Sequence, residues 1–230
     1  MTSFLHFDNA LRACTKCAPL FDCNKVDPRE GDATVVPRPI VSGIREKPVL
    51  LIGQAPGLTE YRTGKPFQGD AGQGVRAIFD ELGLPRNRFD ELVYSSAAMK
   101  CFPGSKPVLR GGKTREDIVP TARMLENCRP FLEQQVELVK PKVIVTLGIV
   151  PLKRYLTLTG RNATGALLTD FVGTTGQWGG ARVVFFPHTS GASRWHNEPA
   201  NRIRFSKAKA LLRAAFAEAL PQHVALSNRA

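Results

Sequence analysis

A chain of 230 residues, 43% hydrophobic and 23% charged, has the length of one domain and enough apolar content to bury a core. No run approaches the roughly 18–20 uninterrupted apolar residues that cross a bilayer. The stretch from Met1 to Cys14 lacks a basic segment followed by an apolar one, so the expectation is a cytoplasmic protein with no membrane partner. Lys and Arg outnumber Asp and Glu by 32 to 20, a net charge of +12. An excess this large favours a polyanionic partner, with nucleic acid first.

Taken in chain order, residues 2–13 read as a short amphipathic helix with Phe4, Leu5, Ala10 and Leu11 on its apolar side. Residues 14–47 are broken by Pro19, Pro28, Pro37, Pro39, Gly31 and Gly43 and read as irregular. Val49–Ile52 is a continuous apolar run, the pattern of a strand buried on both faces. A helix from Gln73 to Leu82 carries Val75, Ile78, Phe79 and Leu82 at helical spacing and stops at Gly83. Leu92–Tyr94 opens a second strand, and a polar, basic loop runs from Phe102 to about Arg115. A long helix is predicted over Ala122–Val139, a third strand over Val143–Leu147, and a short helix through Leu152 and Tyr155. Val183–Phe186 is a fourth strand, and a last helix spans about Ile203–Leu220.

Short apolar strands alternating with helices imply βαβ units around a parallel sheet. In such folds ligands sit beyond the carboxyl ends of the strands. The segments Gly53–Gly57, Tyr94–Lys100, Gly148 and His188–Asn197 all follow strands and are therefore expected to converge. A dinucleotide site would need Gly-x-Gly-x-x-Gly after the first strand, and it is absent. Within the second Gly-rich turn, Phe67 is by itself a core residue and Asp70 a helix cap. In the last loop, His188 is followed by small residues and then by Arg194 and Trp195, types suited to phosphate contact and base stacking.

The five cysteines are Cys14, Cys17, Cys23, Cys101 and Cys128. An odd count with one Cys-x-x-Cys pair in a reducing compartment points to metal or redox chemistry rather than disulfides. Lys16, Lys100 and Arg129 adjoin them and would favour thiolates. Zinc, a [4Fe–4S] cluster, and ordinary buried cysteines all remain open on spacing alone.

Gly53-Gln54-Ala55-Pro56-Gly57, followed by Thr63-Gly64-Lys65-Pro66-Phe67-x-Gly69-x-Ala71-Gly72, resembles the first motif of the iron–sulfur uracil-DNA glycosylases, families 4 and 5. Lys100-Cys101, Cys128-Arg129-Pro130-Phe131-Leu132, Pro141–Gly148 and His188-Thr189-Ser190 are similar to later motifs of that family, in the same order. The resemblance implies one domain over residues 1–230: a three-layer αβα fold with a central, mostly parallel four-stranded sheet. It also implies a [4Fe–4S] cluster on Cys14, Cys17, Cys101 and Cys128, with Cys23 as a spare ligand.

The activity implied is removal of uracil from DNA by a monomeric enzyme that flips the base and hydrolyses its N-glycosidic bond. Asp70 would stabilise the sugar cation and orient water, His188 would donate to the base, and Gln54 would position water or base. Phe67 would stack, with Gly53 and Ala97 completing the uracil pocket. Pro56, Gly57, Ser190, Arg194 and Trp195 would meet the DNA. The chain departs from the family at Gln54, where Glu is usual, and at Ser96-Ala97, where an Asn reads the uracil edge. It departs also at Gly57, where some relatives carry Tyr, and in a longer stretch between Cys101 and Cys128. These departures leave an alternative: a non-catalytic or differently specific protein that binds hypoxanthine or another deaminated base.

Overall fold

The computed structural model describes residues 3–21, 35–43, 45–107, 115–190 and 194–221. Its elements in chain order are α1 (Phe4–Arg12), β1 (Val49–Gly53), α2 (Leu58–Thr63), α3 (Asp70–Glu81), α4 (Phe89–Leu92), β2 (Val93–Ala97), β3 (Ser105–Pro107) and β4 (Arg115–Asp117). There follow α5 (Ala122–Val139), β5 (Val143–Leu147), α6 (Ile149–Leu158), α7 (Leu168–Phe171), β6 (Thr175–Trp178), β7 (Ala181–Phe186) and α8 (Pro199–Ala219). Five strands form one sheet in the order β2-β1-β5-β7-β6, and β3 with β4 forms a separate antiparallel hairpin. Within the large sheet β2, β1, β5 and β7 run parallel, so their carboxyl ends open on the same edge.

The parallel strands form on mainly apolar runs, unbroken in β1 and interrupted by Ser95 and Ser96 in β2, Thr146 in β5 and Arg182 in β7, and every residue of β1, β2 and β5 is buried. Alternate side chains feed two cores. Val49, Leu51, Val93, Val145, Val184 and Phe186 pack with Val75 and Phe79 of α3 and Leu212 and Phe216 of α8. Leu50, Ile52, Tyr94, Ile144, Val183 and Phe185 pack with Leu132 and Val136 of α5 and Leu152 and Tyr155 of α6. The result is the expected αβα layering. Helix α5 has the predicted bounds, because Thr121 caps its first turn by accepting from the Met124 N–H (3.3 Å) and Lys140 ends it in the left-handed conformation.

The sheet has five strands rather than four. The additional one, β6, is the antiparallel edge; its sequence Thr-Gly-Gln-Trp buries only Gly176 and lacks the apolar run that marks an interior strand. Helix α2 also went unread, because its six residues carry no buried side chain. Part of the segment read as a basic loop is the β3–β4 hairpin. Cys23, Arg110 and Lys113 lie outside the described residues. Among the described residues, no helix is long and apolar enough to cross a membrane.

Candidate functional site

The carboxyl ends of the parallel strands open into a cavity of about 330 Å³, lined by Ile40, Gly53–Glu60, Pro66, Phe67, Gly69–Ala71, Ser96, Ala97, Asp117, Leu147, His188 and Ser190. That volume lies at the small end of the range for ligand pockets. Four residues singled out by the sequence, Gln54, Phe67, Asp70 and His188, therefore share one cavity, together with Gly53, Pro56, Gly57, Ala97 and Ser190.

Two glycines and one carboxylate hold Phe67 there. The residue adopts φ 53°, a left-handed conformation that non-glycine residues rarely take. A Cβ on Gly53 would stand 3.0 Å from the Phe67 ring, and one on Gly72 would stand 2.0 Å from the Phe67 carbonyl oxygen. Glycine at both positions lets the ring and its peptide lie against β1 and α3. The loop is stapled by Glu60: Oε1 accepts from the Gln68 and Gly69 N–H groups (2.8 Å each), and Oε2 accepts from the Gly57 N–H (2.9 Å). Sequence reading passed over Glu60, although the Gly57-x-x-Glu60 spacing is that of a capping box. Gly69, not Asp70, occupies the N-cap of α3, so the Asp70 carboxylate is exposed in the first turn instead of capping it.

His188 follows β7 and is half-buried. Ser190 approaches its Nδ1 from two groups, the backbone N–H (3.3 Å) and the hydroxyl (2.9 Å). An Nδ1 that accepts from a backbone N–H carries no proton, which assigns the neutral ring's proton to Nε2. Burial holds the His188 pKa below its ordinary value and favours that neutral form. The loop is moored to α3, since Thr189 Oγ1 donates to the Ala71 carbonyl (2.7 Å) and a Cβ on Gly74 would meet the Thr189 carbonyl at 2.6 Å. Asp70 and His188 are thus fixed to the same helix.

The rest of the predicted set is distributed differently. Ala97 lines the cavity without a polar side chain, and the neighbouring Ser96 hydroxyl is engaged by donating to Gln135 Oε1 (2.8 Å) and accepting from Lys100 Nζ (3.0 Å). Trp195 is outside the cavity lining. It is half-buried against the α3–α8 core, its carbonyl accepts from Asn201 Nδ2 (2.9 Å), and its Nε1–H is buried without a partner among the described residues. Position 194 begins a short 3-10 turn ending at Asn197, and the Arg194 side chain lies outside the described residues. Asp117, which the sequence gave no reason to select, reaches the cavity from β4.

Cys14, Cys17, Cys101 and Cys128 line a second, smaller cavity with Lys100, Asn127 and Phe131, and among the described residues none of the four forms a disulfide. Asn127 Nδ2 donates to Cys17 Sγ (3.5 Å). Among the described residues no group of three His, Cys, Asp or Glu side chains is gathered so as to hold a metal ion. Burial pushes the Cys101 and Cys128 thiols up. Lys100 is fully buried and burial pushes its pKa down to about 7, against the opposing pull of Cys128 and Cys101. Its Nζ donates to the Ala97 carbonyl (2.5 Å) as well as to Ser96, so one side chain spans the cysteine cavity and the floor of the larger one. Of the other two flanking cations, Lys16 is exposed and Arg129 pairs with Glu133 (3.1 Å).

Comparison with known proteins gives a consistent answer. A family model described as the uracil DNA glycosylase superfamily matches residues 41–220. A type-4 uracil-DNA glycosylase of Pyrobaculum aerophilum is 32% identical over 50% of this chain and 51% of its own length. Type-4 enzymes of Sulfurisphaera tokodaii (28% identical, 70% of this chain and 67% of theirs) and Thermotoga maritima (30%, 67% and 71%) are also similar. The chain thus spans about half the length of the first of these relatives and about two thirds or more of the others.

Proposed function

The chain belongs to the uracil-DNA glycosylase superfamily, and from that premise we propose that it excises uracil from DNA as a single-domain, monomeric enzyme of the cytoplasm. The observation that carries the reading is the convergence of Asp70, His188, Phe67 and Gln54 on one cavity at the carboxyl ends of the parallel strands.

A base inside a duplex is out of reach of such a cavity, so the nucleotide must flip out, at a cost of roughly a few kcal/mol that is least for a mispaired base. Phe67 is set to stack on the flipped ring. Cleavage of the bond between C1′ and the base nitrogen leaves the electron pair on the base, so negative charge grows on the base oxygen while positive charge grows on the sugar. The Nε2–H of neutral His188 donates to that oxygen, already aimed when charge develops. The Asp70 carboxylate faces the sugar cation and accepts from the attacking water, whose oxygen forms the new bond to C1′. Gln54 holds the water or the base edge. Pro56, Gly57 and Ser190 at the rim contact the DNA backbone, joined by Arg194, and the net charge of +12 favours that encounter. Trp195 braces this rim from its half-buried seat.

Cys14, Cys17, Cys101 and Cys128 would hold a [4Fe–4S] cluster. The fit rests on four unpaired cysteines lining a common cavity with a buried Lys100, whose charge would offset that of thiolates. A four-iron cube takes one thiolate per iron, so its ligands do not converge on a single ion. The cluster would supply a covalent tie between α1, the end of β2 and α5, with no part in the bond-breaking step.

The test is a strand-scission assay on labelled DNA carrying uracil opposite G, uracil opposite A, single-stranded uracil, or hypoxanthine. Product from uracil DNA that disappears in both Asp70→Asn and His188→Ala supports the mechanism. Undiminished turnover in both variants refutes it. No product from any substrate, with DNA binding intact, turns the reading toward a non-catalytic lesion binder.

A further inference from the structure

We propose that Lys100 is a positioning residue that ties the floor of the large cavity to the contents of the cysteine cavity, its ammonium group held by pocket-lining residues on one side and by the charge of an iron–sulfur cluster on the other. The proposal rests on the reading of the cysteines as cluster ligands for the source of that charge, though not for the bonds to the floor.

Residues 97–101 form a strap between the two cavities. Ala97 lines the large one, and Lys100 and Cys101 line the small one. Along the strap, the Ala98 N–H donates to the Gly53 carbonyl (2.8 Å) and the Met99 N–H to the Gln54 carbonyl (3.1 Å). The strap is therefore pinned to the turn that carries Gln54. Lys100 itself bonds three residues of the large cavity's lining. Its Nζ donates to the Ala97 carbonyl and the Ser96 hydroxyl, and its own carbonyl accepts from the Ile40 N–H (2.8 Å). The Ser96 hydroxyl carries the connection on to Gln135 of α5, the helix that also bears Cys128.

A fully buried ammonium group needs its charge answered as well as its hydrogen bonds. The oxygens of Ala97 and Ser96 are neutral. Among the described residues Lys100 has no carboxylate partner, and the neighbouring cation, Arg154 of α6, is taken up by Glu126. The groups of opposite charge that bear on Lys100 are the sulfurs of Cys128 and Cys101. As iron ligands these sulfurs are thiolates, and a four-iron cluster on four thiolates keeps a net negative charge. A filled cysteine cavity thus holds the ammonium group in place, and the ammonium group holds the end of β2. Emptying that cavity leaves a buried charge unanswered, which is relieved by moving Nζ and, with it, the strap.

Wild type, Lys100→Met and Lys100→Gln are prepared with iron bound, and the iron content and melting temperature of each are recorded. Gln keeps a donor for the pocket oxygens but loses the charge, whereas Met loses both. Three readouts are compared: hydrogen exchange at the Ala98 and Met99 amides by NMR, single-turnover excision of uracil, and the reduction potential of the cluster. Lys100→Met is expected to exchange about tenfold faster at both amides and to excise about 10- to 100-fold more slowly. Lys100→Gln should recover most of both losses. The potential should fall in both variants alike, because removing a nearby positive charge disfavours adding an electron. Wild-type exchange and excision in Lys100→Met overturn the tie to the floor, and an unshifted potential in both variants overturns the tie to the cluster. Should Lys100→Met fail to fold, Lys100→Gln decides through the potential, and Ser96→Ala, which removes one of the two acceptors, decides through exchange; wild-type values overturn the proposal. A wild type that binds no iron ends the cluster reading and the tie with it, while one that binds iron but excises nothing ends the glycosylase reading and leaves exchange and potential to judge Lys100.

Discussion

Replacing Gly72 with Ala separates activity from stability. The new methyl would sit 2.0 Å from the Phe67 carbonyl oxygen, 2.3 Å from its carbonyl carbon and 2.8 Å from its Cα, where real contacts do not fall below 3.0 Å. All three atoms are backbone, so no side-chain rotation relieves the clash, and the Phe67 peptide or the first turn of α3 must move by about 1 Å. The stability cost is partly offset. Overpacking costs about 1–3 kcal/mol, while Ala in place of helical Gly returns about 1 kcal/mol, leaving a net loss of about 0–2 kcal/mol. The activity cost has no such offset, because a 1 Å misplacement of a substrate-positioning group costs about 100-fold. Gly72→Ala is therefore expected to melt within several degrees of wild type and to lose about two orders of magnitude in single-turnover uracil excision. A variant that excises within about threefold of wild type would show that the placement of Phe67 does not limit the reaction.

Other perturbations probe the same assembly. Glu60→Gln keeps one oxygen for the Gln68 and Gly69 N–H groups but turns an amide N–H₂ toward the Gly57 N–H; equilibrium urea unfolding should give a loss of about 1–3 kcal/mol. His188→Ala should lower excision about 100- to 1,000-fold with DNA binding retained, as loss of one preorganised donor does. Burial depresses the His188 pKa in the folded state, so the stability of the neutral ring is intact above about pH 6.5 and is lost as pH falls through the depressed value. Melting temperatures of His188→Gln between about pH 7 and pH 5 should accordingly fall less steeply than those of wild type; His196, also depressed by burial, contributes a residual slope. Cys128→Ser should abolish the brown colour and broad visible absorbance expected of the cluster, and it should lower the melting temperature even before any assay of excision.

The parallel strands were legible because each contains a short apolar run buried on both faces, and α5 was legible over its full span, Ala122–Val139. β6 was not, since an edge strand with one buried residue carries little pattern. Gln54 and His188 stood out through their positions after strands, whereas Phe67 and Asp70, by themselves a core residue and a helix cap, were marked as site residues only by the resemblance. Glu60 and Asp117 were missed for two different reasons. The capping-box spacing marks only the bond of Glu60 to the Gly57 N–H, while its bonds to backbone N–H groups eight and nine residues ahead follow from no local spacing. Asp117 depends on a hairpin whose strands are three residues long. Trp195 read as a DNA-contacting residue because it follows His188 in a loop of small residues. The structure instead holds it half-buried, beside His196, whose ring meets Phe205 at 4.8 Å.

The bond from the Ile118 N–H to the Gly104 carbonyl (2.9 Å) closes the β3–β4 hairpin at its base. What lies inside such a closed loop can lengthen at a slowly growing entropic cost, and Cys101 and Cys128 outside it need not move. A change of length or sequence inside the hairpin can therefore reshape the wall that β4 gives the cavity at Asp117 while the strand-end residues and the four cysteines keep their places.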